Sequence, residues 1–456
     1  MKRLSRVFSV LLFSIVSFQT AFAAKDTLKV MAYNALYYGS GCQGPNSNYH
    51  EYLKKIVSFT NPDILSLEKM AAIKTSPDDK YGTAPYGFAD SIIKYALNAA
   101  FPGRYAHCTF TNNAHTNNMA VIFYDEHKLG FIGIISSYVN ITDFNTYKFY
   151  YKDPALSRTH DTTFLYIIPN HDLSGDENKE IRAVQIGGVM KNLRQHFTHL
   201  PNIINMGDFN VRNSDEPFYQ ELVATPDTGF RFSDPPFFPD RKLKYPADWD
   251  HEPAFADYFT TSTRESGSIP NTCGTGGGAK NWYDHIFLSS WIVNGTNYIK
   301  YIPGSYRTIG NDGQRLKVSI NNSNGHVNSS APADVIEALY QMSNKYPVMV
   351  SLEVTSNDAG KSITDPDIAG GKDLVIAPVT IGKEVDNEIA INFPAELQGQ
   401  DVKIKVTDAK GEQQMEKKAK VKGSTMHVNC KLKAAVYTVK ITGHHNVIAE
   451  EQISKK

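Results

Sequence analysis

Cysteine is scarce in this 456-residue chain, with only Cys42, Cys108, Cys273 and Cys430. Their spacing fits no zinc site, and a chain of this length can bury a sizeable core without a bridge. Four cysteines allow three disulfide pairings, and the sequence does not choose among them. A long hydrophobic run is missing too. Past the first residues, no stretch approaches the ~20 apolar residues of a membrane-spanning helix. Net charge is also absent, Lys+Arg and Asp+Glu both numbering 47. The balance is uneven, however. Residues 401–456 carry +6 and residues 1–23 carry +3, which leaves −9 for residues 24–400. A domain that grips a phosphate backbone usually shows a basic footprint. In total this one does not, so any such grip must come from a local basic groove.

What is present at the start reads as an export signal. Lys2, Arg3 and Arg6 precede a mostly apolar run from Val7 to Phe18, and Ala21-Phe22-Ala23 supplies an A-x-A cleavage site. No cysteine follows that site, which argues against a lipid anchor. Residues 1–23 are therefore expected to be a signal peptide and the protein secreted or held at the cell surface, an oxidising setting that permits disulfides.

From residue 24 to about 355, strand and helix patterns mix. Strands are predicted at Leu28–Asn34, Asp63–Leu67, Met119–Tyr124, Phe164–Ile168, Asn202–Met206, Trp282–Leu288 and Pro347–Val354. Helical spacing predicts Tyr49–Phe59, stopped by Asn61-Pro62, then Ala89–Asn98 and Glu180–Phe197, although Gly187-Gly188 weakens the last. Residues 211–281 are rich in Pro, Asp, Gly and Ser and read mostly as loop. The expected fold class is α/β, a two-sheet, four-layer sandwich with helices flanking the sheets. Residues 356–373 read as a linker. Residues 374–456, with short alternating strands and the turn Asp408-Ala409-Lys410-Gly411, read as a small all-β sandwich.

The chemistry concentrates in Ile203-Ile204-Asn205-Met206-Gly207-Asp208-Phe209-Asn210. A buried strand ends in Gly-Asp-x-Asn, projecting a carboxylate and an amide from its C-terminal end. A carboxylate holds a divalent cation or orients a nucleophile, and an amide binds a non-bridging phosphate oxygen. Alone, the segment is equally a turn whose polar side chains bond local backbone. It has company: Tyr33-Asn34 closes the first strand and Pro62-Asp63-Ile64-Leu65 opens the second. His171 follows the Phe164–Ile168 strand, with Gly175 and Arg182 beyond it. A Gly-rich loop, Gly274 to Gly278, precedes Trp282-Tyr283-Asp284-His285-Ile286-Phe287, and the last strand opens Ser343-Asn344-Lys345-Tyr346-Pro347-Val348. The loop lacks the Gly-Lys-Ser/Thr of a phosphate loop.

In this order and spacing, residues 26 to 354 resemble the endonuclease/exonuclease/phosphatase superfamily, the metal-dependent phosphoesterases built like DNase I. The resemblance implies that Asn34 lies near metal and phosphate and that Asp208 and Asn210 orient water and bind phosphate. It also implies that His171 contacts the phosphate and that Asp284 orients a catalytic histidine. The cofactor would be Mg²⁺ or Mn²⁺, and the partner a phosphate-containing ligand or a phosphodiester.

Two positions depart from the family pattern. Its second strand ends Pro-Asp-Ile-x-x-x-Gln-Glu, the glutamate being the main metal ligand, whereas here the run ends Glu68-Lys69. Its last strand begins Ser-Asp-His-x-Pro, whereas here Asn344 and Lys345 stand for the aspartate and the histidine. Alternation along a strand puts Lys69 in the pocket with Glu68 facing away, so Glu68 serves as a metal ligand only if a bulge shifts the register. An ammonium repels Mg²⁺, and a lysine is a poor general base unless strongly desolvated. Three readings stay open: a degenerate, impaired or binding-only member, an active divergent phosphodiesterase or nuclease using Glu68, and a structural surface protein. The run Leu432 to Ile441 with its Lys-rich end resembles the C-terminal sorting domain of type IX secretion cargo, which implies secretion machinery as a partner. The usual Pro-Asn-Pro opening is missing, and an accessory immunoglobulin-like domain is the competing reading.

Overall fold

The computed structural model describes residues 25–40, 42, 44–71, 86–116, 118–159, 161–268, 273–356, 380–382, 384–385, 387–393, 401–442 and 447–455. The expected leader 1–23, all but the first residue of the linker 356–373, and the start of the C-terminal module lie outside them.

Among the described residues, thirteen strands build the main body. They are β1 (Lys25–Tyr38), β2 (Ile64–Met70), β3 (Tyr105–His107), β4 (Met119–Asp125), β5 (Leu129–Val139), β6 (Asp143–Tyr151) and β7 (Phe164–His171). Then follow β8 (Ile203–Asp208), β9 (Phe232–Ser233), β10 (Asp284–Ser289), β11 (Ile299–Tyr301), β12 (Arg307–Thr308) and β13 (Val348–Thr355). The first sheet runs β11–β13–β1–β2–β4–β3, with β12 also on β13. The second runs β5–β6–β7–β8–β10–β9. The sheets face each other through β1, β2, β4 and β13 on one side and β7, β8 and β10 on the other, which leaves the outer faces to the helices. This is the α/β two-sheet sandwich that the strand and helix patterns predict.

Helix Asn46–Thr60 buries Tyr49, Leu53, Ile56, Val57 and Thr60, a helical stripe, and ends where Asn61 turns left-handed (φ 50°) before Pro62. It packs against helix Ala333–Met342, which buries Val335, Ile336, Leu339 and Met342 and which the strand-centred reading of the sequence omits. The second sheet carries helix Lys179–His196. Of its Gly187-Gly188 pair only Gly188 has a packing reason: a Cβ there would sit 2.2 Å from the Tyr138 ring, whereas one on Gly187 would meet nothing. The sequence patterns do not predict the strand pair β5–β6. Residues 211–281, expected to be loop, hold the short helix Pro217–Val223 among turns.

Two hydrophobic cores result. One runs from Leu28 to Val354 and the other from Ile381 to Ile453. The second belongs to a three-stranded and a five-stranded sheet, and no helix occurs among its described residues. One disulfide, Cys42–Cys273, joins the stretch after β1 to the Gly-rich loop, while Cys108 and Cys430 are free and buried.

Candidate functional site

Register brings the chemistry together. Asp208 ends β8, directly opposite Asp284 on β10 and His171 on β7. In the first sheet Asn34 on β1 is opposite Glu68 on β2. Residues in register share a face, and the Asn34 amide crosses between the sheets to donate to Asp208 Oδ2 at 2.8 Å. The shared face is therefore the one between the sheets. Gly207 is required beside Asp208: it has φ 138°, and a Cβ there would stand 2.0 Å from the Asn170 carbonyl oxygen. The glycine thus serves close strand approach more than a sharp turn.

Lys345 closes the constellation. Its Nζ lies 2.9 Å from Asp208 Oδ2 and 3.6 Å from Asp284 Oδ2, over the Tyr283 ring at 4.6 Å. The Ser343 hydroxyl donates to the Asn34 carbonyl at 2.7 Å and accepts the Lys345 N–H at 3.1 Å, which fixes the segment against β1. Asn344 turns aside and donates to Thr275 Oγ1 at 2.8 Å. The Asn210 amide donates to the Asp172 carbonyl at 2.9 Å, and Asp172 N–H returns to the Asp208 carbonyl at 2.9 Å.

The second strand departs from simple alternation. Pairing of β2 with β4 shifts register between Leu67 and Met70, and Lys69 is left-handed at φ 55°, which is uncommon for a residue with a side chain. The expectation that Glu68 faces away is overturned. It keeps strand parity, stays in register with Asn34, and lies fully buried on the face between the sheets, with Ser66 donating to its Oε1 and no partner for Oε2. Lys69 is turned by the bulge into the cavity wall, its Nζ 4.5 Å from the Tyr37 ring centre. Among the described residues Lys69 Nζ has neither a hydrogen bond nor an ion pair, its ring contact with Tyr37 apart.

Above this floor opens a cavity of about 670 Å³. Lys69, His171, Asp208, Asn210, Asn344 and Lys345 line it, while Asn34, Glu68 and Asp284 sit beneath. Lining residues that the sequence motifs did not single out are Tyr37, Asp172, Arg212 and Lys280. Asp172 was findable, being the neighbour of His171 at the strand end.

The charges follow from burial and proximity. Burial pushes the Asp208 carboxyl up, but Lys345, with His171 and Asn34 assisting, outweighs it and holds the group below the usual carboxylate range. Burial raises Asp284 to about 8, against the pull of Lys345 and with the Asp208 charge adding to the rise. Burial likewise drives Glu68 and Asp172 far up. Lys345 is lowered by burial, yet Asp208 and Asp284 carry it above its ordinary value. Lys69 falls below its ordinary value because burial outweighs the attraction of Asp208. His171 drops to about 4, through burial and the two ammonium groups against the attraction of Asp208. Near neutral pH, Lys345 and Asp208 cancel, burial favours the neutral acid at Glu68 and Asp172, His171 is neutral, and Lys69 is left without a carboxylate partner among the described residues.

Arg182, one of the ordered motif residues, does not reach the cavity. Fully buried, it pairs with Glu216 at 2.6 Å and donates to the carbonyls of Leu173 and Gly175 at 3.0 and 2.7 Å, holding the loop after His171.

No family model and no curated protein matches this chain. Among solved structures it is similar to D. rerio TDP2 complexed with single-strand DNA product, at 14% identity, covering 72% of this chain and 98% of that one with a TM-score of 0.41. It is similar to the human Nocturnin catalytic domain with bound sulfate, at 11% identity, 73% and 98% coverage and a TM-score of 0.40. It is also similar to a mannosyl-6-phosphatase of Bacteroides thetaiotaomicron, at 15% identity, 71% and 99% coverage and a TM-score of 0.39.

Proposed function

We propose that this chain is an exported member of the endonuclease/exonuclease/phosphatase superfamily whose hydrolytic site has become a metal-free pocket for phosphate-like anions. The single observation that carries this is the Lys345 ammonium, 2.9 and 3.6 Å from the two facing carboxylates. Mg²⁺ and Mn²⁺ need clustered oxygen ligands. Among the described residues no group of three His, Cys, Asp or Glu side chains is placed to hold a metal ion, and a cation already stands between the two carboxylates that face each other. The donor set does not fit a divalent metal. Lys69, a half-buried ammonium without an ion-pair partner, supplies the reason for an anion to bind, since a charge withdrawn from water is stabilised by an opposite one.

The motif order from Asn34 to Lys345 supports the superfamily assignment, and the Cys42–Cys273 bridge supports export. We take residues 24–355 as the binding domain and 374–456 as a separate β module, with its sorting role resting on the sequence resemblance alone.

A second reading has one observation in its favour. Glu68 lies on the face shared with Asn34, where the charges of Asp284 and Asp208 add to the burial that raises its carboxyl. Were Lys345 to swing out, Glu68 and Asp208 could take a metal. One experiment separates the readings: calorimetry with Mn²⁺ and with inorganic phosphate, alongside a bis-p-nitrophenyl phosphate assay. Phosphate binding without Mn²⁺ binding or turnover is expected. Mn²⁺-dependent turnover that Glu68→Gln abolishes would establish the second reading instead.

A further inference from the structure

Lys69 is one of two cavity-lining ammonium groups without a carboxylate partner among the described residues. The other is Lys280, in the loop that leads into β10. The remaining strong cations of the cavity are already engaged. Lys345 is held by Asp208, and Arg212 lies 3.0 Å from Asp176 and 3.7 Å from Asp250. Lys280 is also held in place. Its side chain lies across Gly277, where a Cβ would stand 2.5 Å from Nζ, and its backbone N–H donates to the Thr261 carbonyl at 2.6 Å. The two free charges come from different sheets, Lys69 from β2 of the first and Lys280 from the approach to β10 of the second.

We infer that the cavity takes a small molecule carrying two anionic groups, one phosphate on Lys69 at the floor and a second phosphate on Lys280 in the opposite loop. This rests on the anion-binding reading above and adds to it a ligand class. Asn281, next to Lys280, also lines the cavity, but its side-chain amide is committed to the Tyr283 hydroxyl at 2.7 Å. The second group therefore meets Lys280 as its principal charged partner. A charge-assisted contact at a partly desolvated wall is roughly twice as strong as a neutral one, so the gain from the second phosphate is expected to be about tenfold.

The test is calorimetric titration of the full chain at neutral pH and low salt with inorganic phosphate, pyrophosphate and tripolyphosphate. The expected result is that at least one of the two longer ions binds about tenfold tighter than phosphate. Lys280→Met should erase that gain, and Lys280→Arg should keep it. Lys69→Met should weaken all three ligands. Lys300→Met, an exposed charge on β11 outside the cavity, serves as the control for general attraction. Three outcomes overturn the inference: equal affinity for all three ions, a Lys280→Met variant that keeps the gain, or a Lys300→Met variant that loses as much. If phosphate binds and only the gain is missing, the two-anion ligand falls while the anion pocket stands. If wild type binds none of the three, both fall.

Discussion

Replacing Lys345 by methionine tests the centre of the site. Methionine keeps a similar length and removes the charge, so Asp208 loses its 2.9 Å ion pair and keeps Asn34 and the backbone N–H of Asn210. Both carboxylates are almost fully buried. Removing one partner of a buried pair strands the other charge, at a cost of ~3–5 kcal/mol. The pH dependence fixes the sign. In wild type, Asp208 is depressed, so its contribution is present above its unfolded value of 3.8 and lost only as pH falls through its still lower folded value. Lys345 is raised, so its contribution persists below 10.5 and fades only as pH climbs through the higher folded value. Between pH 5 and 7.5 the wild-type pair is therefore constant. Asp284, raised to about 8 in wild type, holds its proton across this window with or without Lys345 and cancels from the difference, whereas Asp208 in the variant loses the cation that outweighed its burial, so its carboxyl rises and acid neutralises it. The deficit should be largest at pH 7.5 and shrink by at least ~1 kcal/mol at pH 5. Urea unfolding followed through the buried Trp249 and Trp282 reads this directly. A deficit under ~1 kcal/mol at pH 7.5, or one that grows towards acid, would refute the bridging ammonium.

Two further outcomes are expected. His171, depressed to about 4, should stay neutral down to that pH in an NMR titration, and a midpoint near 6.5 would show that the cavity floor is wetter and less cationic than described. Arg182→Met should lose ~3–5 kcal/mol by stranding Glu216. It should also raise amide exchange in the loop from Leu173 to Gly175, which the guanidinium holds by the carbonyls of Leu173 and Gly175, and unchanged exchange there would remove the loop-holding role.

The main body was legible because its strands are buried on both faces and bounded by turn residues. Runs such as Ile203–Met206 and Met119–Tyr124 cannot be placed elsewhere. Helix Ala333–Met342 follows a Ser/Asn/Pro-rich stretch and is only ten residues long, and it earns its place by packing on another helix rather than by caps. The β5–β6 hairpin hides for a different reason. Most of β5 is half-exposed, with Gly130 and Gly133 inside it, and two register shifts interrupt its pairing. Neither period is clean, so alternation carries no signal there.

The site was legible where each side chain sits at a strand end and illegible where the backbone leaves the strand. His171, Asp208 and Asp284 converge because β7 and β8 end, and β10 begins, at the same edge of the sandwich, and strand ends can be read from hydrophobic runs; Asn34 joins them from within β1, which runs on to Tyr38 instead of closing at Asn34. Glu68 and Lys69 cannot be assigned in this way. Parity allows one of two adjacent residues to face the site, and counting chose Lys69. The chain instead uses a left-handed residue at 69, so both residues come to the site at different depths: Glu68 buried between the sheets, Lys69 at the cavity wall. A lysine offers no local cue for φ above zero, as glycine or asparagine would. The bulge is held by its surroundings, by β1 on one side and β4 on the other, both of which shift register at the same place. The chemical consequence is that an acid and a base occupy one strand end without neutralising each other. Burial favours the neutral acid at Glu68, and Lys69, at the cavity wall, meets whatever enters.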